Sequence, residues 1–139
     1  MADDDFQVDH IDHVALDVPN RYETAQWYED VLGLTICDEY EMWAERDGPL
    51  VISSDGGHTM LALFEGSPGE RKPRHIAFRT DGEGFLEFVD GLAEFSGVDA
   101  EGRADVVDHD LSFSVYFTDP AGHRLEVTTY EYDRVEAEL

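Results

Sequence analysis

The sequence has one lysine, Lys72, and nine cationic residues in all against 33 acidic ones, for a formal net charge of −24. A surface this negative repels phosphates, which argues against DNA, RNA and anionic membranes as partners. Long apolar runs are also missing: no stretch approaches the about 18 residues that a membrane span needs. The single cysteine, Cys37, cannot close an internal disulfide, as expected in a reducing cytoplasm. The opening Met1-Ala2-Asp3-Asp4-Asp5 has neither the basic start nor the apolar stretch of a secretory signal. These absences predict a cytoplasmic protein with no nucleic acid and no membrane among its partners. What is present is enough for a core: 42% of the 139 residues are hydrophobic and 12% aromatic, in a chain the size of one domain, 1–139.

The acids run along the whole chain between apolar residues, so they decorate a folded surface and do not form a charged tail. This composition resembles that of proteins from salt-loving organisms, whose cytoplasm holds molar salt. At about 1 M the screening length is only about 3 Å and such self-repulsion becomes tolerable. An acidic surface meant for a cationic partner is the alternative.

Read in order, the chain repeats itself. Ile11-Asp12-His13-Val14-Ala15-Leu16-Asp17-Val18 alternates and predicts a strand. Asn20 with Glu23 makes a capping box for a helix carrying Ala25, Tyr28, Val31 and Leu32, and Gly33 stands where a terminating glycine belongs. Three strands are expected at about 36–46, 49–54 and 59–65, completing module one over about 8–65. Gly66 to Pro73 reads as a linker. Module two, about 74–130, then restarts: Arg74-His75-Ile76-Ala77-Phe78-Arg79 copies the first strand, a helix is expected over Gly84 to Phe95, and strands at about 103–109, 112–118 and 123–130. Residues 131–139 are left as a C-terminal tail. Gly57-His58-Thr59-Met60-Leu61-Ala62 matches Gly122-His123-Arg124-Leu125-Glu126, with one residue inserted in the first copy. An internal duplication of a βαβββ unit follows, which predicts an α+β fold of two tandem modules forming a half-open β-barrel with helices outside.

Strand alternation places His13 on one face with Ile11 and Ala15. His75 holds the same position in module two, and the closing strands contribute the equivalent pair Ala62 and Glu126. Two histidines and one carboxylate at repeat-related inward positions make a 2-His-1-carboxylate set, with metal positions left open for ligands. His10 and His123 fall on the opposite faces and read as surface residues.

The chain resembles the vicinal oxygen chelate superfamily, which includes glyoxalase I, bleomycin-resistance proteins, fosfomycin-modifying thiol transferases and extradiol dioxygenases. Ile11-Asp12-His13-Val14-Ala15-Leu16, Trp27-Tyr28 through Val31-Leu32-Gly33-Leu34, Arg74-His75-Ile76-Ala77-Phe78 and Val115 to Glu126 carry the resemblance. It implies the same ligands, His13, His75 and Glu126, and a homodimer is common in the family. Glyoxalase I-like enzymes carry a fourth ligand where this chain has Ala62. The thiol transferases share the three-ligand set, but have a threonine where Ala15 stands and need cations for a phosphonate. Bleomycin-binding relatives are metal-free small-molecule binders that lack the triad.

Val107-Asp108-His109, Val115-Tyr116, Asp119-Pro120, Gly122 and Glu126 resemble the extradiol ring-cleavage signature. That resemblance implies Fe(II), with Mn(II), Ni(II), Co(II) or Zn(II) as alternatives, and cleavage of a small catechol-like substrate by O2. It also implies that His109 and Tyr116 orient substrate and oxygen, and that His58 is the acid–base, since an imidazole can move a proton near neutral pH. A glyoxalase I-like lyase or isomerase and a metal-free binding protein are the alternatives. The acidity itself predicts against highly anionic substrates unless the metal supplies positive charge.

Overall fold

A computed structural model describes Phe6 and residues 10–66, 75–95 and 97–139. They fall into two compact units, divided between Gly66 and Ser67. Apart from Gly66, the expected linker lies outside the described residues.

In unit one, β1 (His13–Val18) leads into α1 (Arg21–Leu32), followed by β2 (Thr35–Ile36), α2 (Glu41–Ala44), β3 (Leu50–Ser53) and β4 (Met60–Glu65). The sheet order is β1-β4-β3-β2, with β1 parallel to β4 and the other neighbours antiparallel. The Asn20 cap and the Gly33 terminus form as expected, but the reciprocal backbone bond of the capping box does not. Asn20 accepts at its side chain from the Glu23 amide, and Gly33, at φ 72°, closes the helix by donating to the Glu29 carbonyl. Glu23 returns its carboxylate to the Asn20 side-chain amide. The backbone amides of Asn20 and Arg21 instead reach Glu65 at the end of β4, which ties the helix start to the sheet. Ala25, Tyr28 and Val31 form the buried stripe of α1.

Unit two repeats this plan. It contains β5 (His75–Arg79), α3 (Gly82–Gly91), β6 (Val107–Asp108), β7 (Phe113–Thr118), β8 (Arg124–Thr129) and α4 (Tyr132–Glu136), with sheet order β5-β8-β7-β6. Phe85, Val89, Val115, Phe117 and Leu125 are buried in its core. The fold is therefore α+β, built from two βαβββ modules of identical strand order. Among the described residues no helix is long and apolar enough to cross a membrane.

Three expectations are corrected. The strand expected at 36–46 is only Thr35–Ile36, followed by a 3-10 turn at Asp38–Tyr40 and then α2. Although Glu39-Tyr40-Glu41-Met42 alternates, helical winding instead stacks Tyr40 on Trp43 at 4.6 Å and 10°. The strand expected at 103–109 is only Val107–Asp108, after a 3-10 turn at Arg103–Asp105. Here the Asp105 carboxylate accepts from the Glu101 and Gly102 amides at 2.8 and 3.2 Å, satisfying the backbone locally. The second helix begins at Gly82 because Asp81 caps it, and it gives way to a 3-10 turn at Leu92–Glu94. Within the C-terminal tail, α4 buries Val135, and Tyr132 stacks on Phe113 at 4.5 Å.

Candidate metal centre

Strand register aligns the two modules residue by residue. In unit one Ala15 pairs with Ala62; in unit two Ala77 pairs with Glu126. His13 and His75 each stand two residues before those alanines, facing the same side of their sheets. The duplication therefore does equate Ala62 with Glu126, and only the second copy carries a carboxylate.

Most of the 33 acids say nothing about chemistry, but burial separates them. Among the described residues the buried acids are Asp119 and Glu126. Asp119 serves the turn before β8, accepting from the Ala121 and His123 amides at 2.9 and 2.8 Å. Glu126 has a different role. Its Oε1 lies 2.9 Å from His75 Nε2, and its Oε2 accepts the Ser114 hydroxyl proton at 2.6 Å. Ser114, fully buried, sits 2.9 Å from Thr128 Oγ1, which is itself 3.0 Å from the Phe113 carbonyl. One carboxylate oxygen is thus held by the Ser114 hydroxyl, leaving the other beside an imidazole.

Tyr116 is the register partner of Glu126 across β7 and β8. Its hydroxyl lies 2.9 Å from His109 Nε2, and its ring meets that of His75 edge-on at 5.9 Å. Burial, followed by the Glu126 charge, raises the phenol pKa above its usual range, with partial relief from Ser114 and Arg124. His109 is brought there by the turn after β6, in which its amide donates to the Ser112 carbonyl and Asp110 adopts φ 72°. Asp108 is the register partner of Phe113, and its carboxylate accepts the Tyr132 hydroxyl. That contact holds Asp108 below its ordinary pKa and pushes Tyr132 up to about 12.

His75, Glu126, Tyr116 and His109 are accordingly brought together within unit two. His13 and His58 belong to unit one. His13 is exposed at the start of β1, with Nδ1 2.9 Å from Asp12 Oδ2. His58 lies in the exposed turn before β4, stacked on His10 at 3.9 Å and 11° between ring planes. His10 Nε2 donates to the His58 carbonyl at 2.8 Å, so this expected surface histidine anchors the turn. His123 is half-buried and uses its backbone in the turn with Asp119.

Among the described residues, no three His, Cys, Asp or Glu side chains form a group that could hold a metal ion. The pair in unit two nevertheless suits one chemically: an imidazole nitrogen and a carboxylate oxygen converge, and the carboxylate is oriented by a buried hydroxyl. Two residues on this face escape the motif reading. Ser114 is signalled by strand alternation from Tyr116, and Arg124 by alternation from Glu126.

A family model for the Glyoxalase/Bleomycin resistance protein/Dioxygenase superfamily matches residues 10–127. The metallothiol transferase FosB of Staphylococcus haemolyticus is 32% identical over 126 residues, 86% of this chain and 82% of that protein. FosB of Staphylococcus epidermidis is 28% identical over 135 residues, 88% of this chain and 83% of that one. Among solved structures, oxidase ChaP-H1 aligns at a TM-score of 0.67 and 25% identity, covering 90% of this chain and 98% of its own.

Proposed function

As the chain belongs to the glyoxalase/bleomycin resistance protein/dioxygenase superfamily, we propose that it is a metal-dependent enzyme acting on a small oxygen-chelating substrate. In this reading His13, His75 and Glu126 hold the metal, Fe(II) is the ion, and the reaction is extradiol cleavage of a catechol. The supporting observation is the Tyr116–His109 hydrogen bond at 2.9 Å, on the strand beside the His75–Glu126 pair. A phenol and an imidazole sharing one proton can donate to one substrate oxygen and accept from another.

A bound Fe(II) supplies chelation of two adjacent oxygens and a position for O2. The rest belongs to the chain. Ser114 keeps Glu126 oriented, Tyr116 positions a substrate oxygen, and His109 holds or releases the proton at the Tyr116 hydroxyl. His58 is the proposed acid–base, exposed and stacked on His10.

The test has two steps. Metal content of protein purified without added metal should fall on His75→Ala; no metal in the wild type, or no loss in the variant, overturns the metal centre. Anaerobic loading with Fe(II), then a catechol panel in air at high salt, should give a yellow ring-fission product. No product and no oxygen uptake across the panel overturns the dioxygenase reading.

Thiol transfer is a second reading, favoured by the FosB relatives. The three-ligand set suits it, while Ala15 stands where those enzymes carry a threonine. Consumption of a low-molecular-weight thiol with an electrophile, where catechols fail, would select it.

A further inference from the structure

We propose that Arg124 is the specificity-determining residue of this site, and that the substrate carries a carboxylate in addition to its chelating oxygens. The inference rests on the metal-dependent reading above. Arg124 opens β8 two residues before Glu126 and is the register partner of His75. Alternation puts it on the same face as Glu126, and a rise of about 3.3 Å per residue separates the two by about 7 Å along the strand. That is the reach of one substituted aromatic ring.

Its contacts differ from those of the ion-paired arginines. Among the described residues Arg21, Arg103 and Arg134 each reach a carboxylate. Arg46 and Arg79 do not, and neither does Arg124, although acids outnumber cations by 33 to 9. Instead its Cζ lies 5.5 Å from the centroid of the Tyr116 ring, with the side chain exposed. A guanidinium resting on an aromatic face keeps its N–H fork directed outward, the geometry that takes a carboxylate in two hydrogen bonds. Long-range repulsion by a net charge of −24 opposes any anion, but it is screened by salt, whereas a directed contact at the site is affected much less. The acidic composition therefore leaves room for a substrate with a single carboxylate bound at a cation and a metal.

Arg79 supplies the control. It lies on the same face, paired in register with Thr128, and its Cζ rests 4.4 Å from the Tyr130 ring, away from Tyr116. Arg79→Gln and Arg124→Gln each remove one positive charge from this face, so general electrostatics affects both alike.

The experiment measures calorimetric binding of catechol, 3,4-dihydroxybenzoate and methylphosphonate to Zn(II)-loaded protein at high salt, where no turnover occurs. We expect the carboxylated chelator to bind the wild type about tenfold more tightly than catechol. Arg124→Gln should abolish that preference while leaving catechol affinity within about twofold, and Arg79→Gln should retain it. Equal affinities in the wild type, a preference surviving Arg124→Gln, or equal losses in both variants overturn the proposal. Methylphosphonate binding as tightly as the carboxylated chelator overturns carboxylate as the preferred anion. If neither chelator binds, or if Glu126→Gln weakens neither, the metal-centre reading fails, and this proposal fails with it.

Discussion

Replacing Ser114 by alanine removes the hydroxyl that donates to Glu126 Oε2 at 2.6 Å from a fully buried position. Alanine differs by one oxygen, so the cavity left is negligible. Thr128 loses little, because its hydroxyl keeps the Phe113 carbonyl at 3.0 Å. The cost is the buried carboxylate oxygen left without its donor, about 2 kcal/mol by the usual range for hydrogen bonds to charged groups. For a chain of this length that corresponds to a fall in Tm of about 6–8 °C. Metal affinity should fall about 10- to 100-fold, since the carboxylate is no longer oriented. Both tryptophans, Trp27 and Trp43, lie in unit one, so their fluorescence reports the wrong unit. Circular dichroism, or hydrogen exchange at the β7 and β8 amides, is the suitable assay. In a Glu126→Gln background the same substitution should cost about 1 kcal/mol less, because the charge on the acceptor is gone. A loss below about 0.5 kcal/mol, or full additivity of the two substitutions, refutes the charge-assisted contact.

Asn20→Ala should cost about 1–2 kcal/mol in denaturant unfolding, since it loses the cap and forces alanine into φ 57°, whereas Asn20→Gly should cost much less. Asp108→Asn should return Tyr132 from about 12 toward the ordinary tyrosine value of about 10, read as ultraviolet absorbance in an alkaline titration. Because the folded Tyr132 value is raised, its stabilising contribution is present below the unfolded pKa and is lost as pH rises through about 12. Asp108 is depressed, so its contribution is present above its unfolded pKa and is lost as pH falls through the folded value. Raising KCl from about 0.05 M to about 1 M should increase Tm if self-repulsion among the acids matters; an unchanged or lower Tm removes the salt-adapted interpretation.

The duplication is what made this chain readable. His13 and His75, with the rung pair Ala62 and Glu126, could be aligned from repeated strings because a period-two strand has one register that keeps the core side inward. The Asn20 cap and the Gly33 terminus were legible for a local reason, since both depend on backbone geometry within a few residues. The turns at Asp38–Tyr40 and Arg103–Asp105 were not. Their tendency to wind comes from contacts such as the Tyr40–Trp43 stack and the Asp105 carboxylate on upstream amides, while β-like composition around them suggested extension. Ser114 and Arg124 were hidden differently. A serine or an arginine at an alternating position has the same sequence signature whether it faces water or a carboxylate.

The way salt screens charge sharpens the argument for Glu126. Molar salt screens exposed carboxylates, so an acid-rich surface costs little there and each exposed acid loses its value as a functional signal. Salt does not enter the packed interior, so a buried carboxylate costs as much in concentrated salt as in dilute buffer. Such a group persists only where hydrogen bonds or a cation compensate it. For Asp119 two backbone amides of its own turn donate to Oδ1. For Glu126 a single hydroxyl holds one oxygen, and the other is directed at an exposed imidazole. A side chain supported on one oxygen and turned toward an imidazole nitrogen on the other is arranged as a ligand is.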